Sequence, residues 1–208
     1  MKYVKMLGLA AVAALALMAF VGVGSASATT LCKTNSTPCP AEWKVKKGDK
    51  LTASLDPKTT ALLQAGFANV TCTESHVEGT VENEGSETET VSGPVTSVTF
   101  GSCNCEEVKV NVGGSLELHY TEKMNGTLTS KGATATVKCA GVTCKYKTAA
   151  SGTHMGTLTG SDATGGAATL DIATHLEKHE GSFLCANSAE WTASYVVTTP
   201  NPLYVDAS

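Results

Sequence analysis

Apolar and polar positions alternate in short bursts along this chain. Val95-Thr96-Ser97-Val98-Thr99-Phe100, Val108-Lys109-Val110-Asn111-Val112, Leu116-Glu117-Leu118-His119-Tyr120 and Ala133-Thr134-Ala135-Thr136-Val137 each turn one residue in and the next out. A period of two over five or six positions is that of a half-buried strand. Turn formers separate the bursts: Asn83-Glu84-Gly85, Ser92-Gly93-Pro94, Gly113-Gly114, Asn125-Gly126, Lys131-Gly132 and Gly165-Gly166. Asn125-Gly126 carries the strongest signal, because both residues accept the positive φ of a tight hairpin turn. Only Lys58 to Gln64 and Thr174 to Glu180 have spacing that suits a helix, and both are short. About thirty threonines, stiff at χ1 and suited to a pleated, half-wet surface, point the same way. Ten or so strands at this spacing predict an all-β fold, either an antiparallel sandwich or two small packed sheets.

The N-terminus has a different pattern. Met1-Lys2-Tyr3-Val4-Lys5 is basic, Met6 to about Val23 is apolar, and Ala26-Ser27-Ala28 is small. That order is a secretory signal peptide, residues 1–28, with cleavage expected after Ala28. An uncleaved anchor is the alternative, since the apolar run is about long enough to span a bilayer. Lipid attachment fits poorly, because Thr30-Leu31 rather than a small residue precedes Cys32. The expected location is secreted or cell-surface, with no membrane contact after cleavage.

All eight cysteines lie beyond the signal, and an oxidising destination makes disulfides their expected use. Eight cysteines allow 105 pairings. Cys32 and Cys39 bracket a short loop and can close locally. A weak internal echo narrows the rest: Val70-Thr71-Cys72 leads to Gly101-Ser102-Cys103 much as Val142-Thr143-Cys144 leads to Gly181 through Cys185. It suggests Cys72–Cys103 and Cys144–Cys185, leaving Cys105–Cys139 as the cross-link. The rival pairs Cys139 with Cys144 and Cys105 with Cys185. The same echo divides the mature chain into β units 29–112 and 113–208, or leaves one continuous domain, 29–208.

Charge excludes several partners. Removing the signal takes two lysines, shifting the formal charge from −4 to −6, and the chain has no arginine. Without arginine's planar fork an acidic chain is a poor ligand for nucleic acid or phosphoryl groups.

Candidate chemistry is sparse. His175-Leu176-Glu177-Lys178-His179 alone has the look of a metal site, and on a strand His175, Glu177 and His179 share one side. The zinc peptidase motifs place glutamate beside a histidine, not midway. A solvated polar segment is therefore the plainer reading, with no metal or other cofactor expected. Glu74, Glu78, Glu82, Glu84, Glu87 and Glu89 form an acidic stretch without the sharp converging turn that calcium needs, and charge along a sheet edge accounts for them. No C-x-x-C redox pair and no G-x-S-x-G elbow occurs, so no catalytic residue is assigned. The five histidines could still join a triad formed only in space.

The export signal, the Cys- and Gly-punctuated strands and the tail Trp191-Thr192-Ala193-Ser194-Tyr195-Val196-Val197, with Pro200-Asn201-Pro202-Leu203-Tyr204-Val205, resemble the small secreted bacterial Cys-containing β proteins. That resemblance implies a disulfide-braced extracellular domain and assigns no functional residue. The expected function is a secreted non-catalytic β domain, binding or structural at the cell exterior. Its expected partner is a protein or a cell-wall component. The alternative is an extracellular hydrolase whose site assembles in three dimensions.

Overall fold

The computed structural model describes residues 28–66, 68–111 and 114–207. The expected signal segment up to residue 27 lies outside them. Fifteen strands follow in order: β1 (Thr30–Cys32), β2 (Lys50–Leu55), β3 (Ala61–Gln64), β4 (Asn69–Thr80), β5 (Asn83–Ser86), β6 (Glu89–Cys103), β7 (Glu107–Asn111), β8 (Ser115–Tyr120), β9 (Gly126–Lys131), β10 (Thr134–Cys139), β11 (Val142–Lys147), β12 (Thr153–Thr159), β13 (Thr169–Gly181), β14 (Ser188–Thr199) and β15 (Tyr204–Asp206). The chain is all-β and antiparallel, in two sheets, and four disulfides brace it: Cys32–Cys39, Cys72–Cys103, Cys105–Cys139 and Cys144–Cys185. Among the described residues no helix is long and apolar enough to cross a membrane.

The strand pairings show how the layers are joined. β2 and β3 both pair with β4, and β4 and β5 both pair with β6. Next come β6 with β8, β7–β8 with β9–β10, β9–β10 with β11–β12, and β11–β12 with β13. β13 pairs with β14, and β14 pairs back onto β2 and β3. Eight long staves thus run up and down in sequence order, and the last closes on the first. The facing halves of the sheet pack as in a sandwich, joined at both margins into a barrel. The ring is laddered all round at the β1–β15 end, while at the other end β7 pairs only with β10 and keeps an edge toward β6. Elsewhere closure removes the free edges along which open sheets aggregate.

Alternation decides what lies inside. On β13, Ile172, Thr174 and Leu176 are buried while Asp171, Ala173, His175 and Glu177 are exposed. β14 buries Ala189, Ala193, Tyr195 and Val197. Bulges at Glu78/Gly79, His154/Gly156 and Lys145/Tyr146 shift this parity locally. An extra residue in one strand flips the faces beyond it.

The two ends are finished differently. Antiparallel β1 and β15 cover one end, burying Leu31, Leu203 and Val205. Buried Asp206 holds this cap: Oδ1 accepts from Thr37 Oγ1 at 3.0 Å and Oδ2 from the Cys39 amide at 2.8 Å. The Cys32–Cys39 bridge lies here. The other three bridges cluster toward the opposite end, where the β6–β7, β10–β11 and β13–β14 connections lie.

Three sequence expectations need correction. Both helix-compatible segments end up in strands: Ala61–Gln64 is β3, and Thr174 to Glu180 runs inside β13. Cross-strand partners on both sides of β13 outweigh a weak local preference. The β8–β9 hairpin turns at Lys123 and Met124, with φ of 51° and 66°, rather than at Asn125-Gly126. Asn125 instead accepts the Gly160 amide on Oδ1 at 3.1 Å, and a Cβ on Gly126 would lie 2.8 Å from the His119 carbonyl oxygen. Neither Asn83-Glu84-Gly85 nor Ser92-Gly93-Pro94 is a turn: the first lies in β5 and the second is the middle of β6. Gly93 lets two backbones meet there, since a Cβ would fall 1.9 Å from the Thr80 oxygen.

Candidate functional site

The barrel interior is the most distinctive chemical feature. Among the described residues voids run along it, three of which stand out. The widest, about 120 Å³, lies under the β1–β15 cap between Leu31, Val81, Val91, Leu118, Leu158 and Leu203. A middle void of about 60 Å³ reaches Val98, Ser130, Ile172 and Tyr195. The third, about 50 Å³, lies toward the disulfide-rich end among Val70, Phe100, Val137, Tyr146 and Leu176. Val77, Leu116, Leu128 and Leu170 border both of the first two voids, while Val110, Met155 and Trp191 border the second and third. An eight-stranded barrel is just wide enough for its side chains to fill the lumen or to enclose one small ligand.

The polar groups inside are few and mostly engaged. The Ser75 hydroxyl donates to the Thr99 carbonyl at 2.9 Å, so the Tyr195 hydroxyl, 3.0 Å from Ser75 Oγ, is the donor to it. Tyr146 donates to the Ala65 carbonyl at 3.3 Å, and Thr174 to the His154 carbonyl at 2.6 Å. Burial pushes the Tyr195 hydroxyl up to about 12 and raises that of Tyr146. Trp191 meets Phe100 edge to face, ring centres 6.3 Å apart. Ser130, 2% exposed, faces the middle void, while among the described residues the buried side-chain oxygen without a hydrogen-bond partner is Thr30 Oγ1 in the cap.

Outside, the structure separates the histidine motif. His175 and Glu177 stand exposed on β13, and His179 falls at the bulge where Lys178 and Glu180 take consecutive partners on β11. His179 Nε2 lies 3.7 Å from Glu180, whose carboxyl is lowered chiefly by its hydrogen bond from Lys145. Among the described residues no three His, Cys, Asp or Glu side chains gather to hold a metal. The acidic stretch is likewise dispersed. Glu74 accepts from Ser102 Oγ, Glu84 from the Lys47 amide and Glu89 from Asn83.

One constellation escaped the sequence reading. Ser54 on β2 sits opposite His76 on β4, and Ser54 Oγ lies 3.2 Å from His76 Nδ1. His76 Nε2 lies 3.2 Å from Glu78 Oε1. A nucleophile, a base and an orienting carboxylate are thus in reach of one another. The His76 and Glu78 side chains are 40% and 42% exposed on a barrel wall, and the β2 and β4 backbones around them are committed to ladder pairing. Only the register of β2 against β4, set 22 residues apart, brings serine to histidine.

Comparison with protein-family models, with curated proteins and with solved structures finds no match to this chain.

Proposed function

We propose that the chain is an exported, non-catalytic β domain that works by binding at the cell exterior. The observation that carries this reading is an apolar barrel, laddered all round at its capped end and cross-braced by four disulfides. Disulfides persist in oxidising compartments outside the cytosol. The lumen is walled by aliphatic side chains, which suit retention of a ligand better than proton transfer. The partner class is a protein or a cell-wall component reached at the outer surface, where Phe183 is 91% exposed on the β13–β14 loop beside Leu184.

Extracellular hydrolysis is the second reading, and it rests on Ser54, His76 and Glu78. It ranks second because those groups lie on a solvated wall, where water screens the charge that would activate the serine.

The test is intact mass of the protein exported by its native host, before and after reduction and alkylation. The expected species starts at Thr29 and takes up eight alkyl groups only after reduction. A full-length precursor in cytosol with eight free thiols would overturn the reading.

A further inference from the structure

We infer that the barrel interior holds one slender, neutral molecule: an unbranched hydrocarbon chain with a single hydroxyl or carbonyl. The inference deepens the binding reading above and rests on it.

The shape of the space sets the ligand's shape. The widest and third voids have no lining residue in common, and each overlaps only the middle one. The spaces are therefore strung in line, and a bulky ring system would have to displace several walls at once. Apolar cavities of this order remain dry and take up small hydrocarbons. An unbranched chain fits the wide void beneath Leu31 and Leu203 and extends past Leu128 and Leu170 into the middle one.

The chemistry of the walls sets its charge. No lysine or histidine lines any of the three voids, and the one acidic lining residue, Glu78, is tied to His76. A charged head group would be desolvated inside without a counter-ion, so the ligand is neutral. Ser130 supplies a hydroxyl on the wall of the middle void. A ligand hydroxyl or carbonyl in the middle void meets that hydroxyl in a hydrogen bond, which an alkane of the same length does not make.

Trp191 borders the middle void and is one of only two tryptophans. The other, Trp43, is 49% exposed and lines none of the voids, so Trp43→Phe leaves Trp191 as the sole reporter. The oxidised exported chain carrying Trp43→Phe is titrated with 1-octanol and, separately, n-octane, reading Trp191 emission and the thermal midpoint. A saturable emission change at one equivalent, with a raised midpoint, supports the inference. Leu128→Phe fills the junction of the two larger voids and should weaken octanol binding about tenfold or more. Leu170→Phe serves at the same junction should the first variant fail to fold. Ser130→Ala should weaken octanol roughly three- to tenfold and leave n-octane unchanged. The inference is overturned by a folded protein with no saturable response. It is equally overturned by a cooperatively folding Leu128→Phe that binds like the parent, or by Ser130→Ala binding octanol at full strength. Loss of octanol binding leaves the export mass unaffected, so the two readings fail separately.

Discussion

Tyr195 and Ser75, 120 residues apart in sequence, meet inside the barrel with their oxygens 3.0 Å apart. Burial disfavours the tyrosinate and raises its folded pKa to about 12 from the ordinary tyrosine value of 10.0. A group raised on folding lends stability that is whole below its unfolded pKa and is lost as pH climbs through the folded one. Stability should therefore hold to about pH 10 and fall by roughly 2–3 kcal/mol by pH 12. Tyr195→Phe should flatten much of that fall, as read by urea unfolding across the alkaline range. Tyr146, also raised by burial, supplies a smaller remainder.

Asp206 is the second pressure point. Asp206→Ala strands the buried Cys39 amide and the Thr37 hydroxyl. The expected loss is about 1–3 kcal/mol, and Asp206→Asn should retain part of it. Thermal unfolding of the two variants measures the difference. Equal midpoints for Asp206→Ala and the parent would mean that the cap does not depend on this carboxylate.

The bridges should differ in worth by loop length. Cys144–Cys185 spans 41 residues and Cys32–Cys39 only 7. On the chain-entropy account, replacing the long pair by serine costs about 3–4 kcal/mol and the short pair nearer 2. Urea midpoints at matched m-values test the order.

Gly93→Ala should be far more damaging than an ordinary strand substitution. The new methyl would meet the Thr80 carbonyl oxygen at 1.9 Å, a contact relieved only by parting β6 from its neighbour. A loss above about 3 kcal/mol is expected, measured by denaturant unfolding.

The surface trio allows a direct kinetic check. Turnover of p-nitrophenyl acetate by the parent should equal that of Ser54→Ala. A rate falling at least about a hundredfold in the variant would move hydrolysis to first place.

These particulars separate what could be read along the chain from what could not. The alternation around Val108, Leu116 and Ala133 appears in the structure as β7, β8 and β10, because short-period patterning reports a half-buried strand directly. The long reach of β6 through Gly93-Pro94 was hidden, since those residues look like a turn unless the approach of Thr80 is known. The pairing of β14 with β2 and β3 joins segments more than 120 residues apart, and nothing local encodes it. The same distance conceals the lumen. Which residues face it depends on bulges such as Lys145/Tyr146, and these leave no mark on the hydrophobic pattern. Ser54 beside His76 was missed for the same reason.

The β14 seam also dictates timing. A polypeptide emerging from its N-terminus presents the β2–β3 border to solvent throughout the making of six further staves, and the ring can shut only when Ser188–Thr199 arrives. A chain cut short before that stretch keeps two bare borders, each able to recruit a stranger's strand. The final tenth of the molecule thus settles whether it stands alone or clumps with its kin.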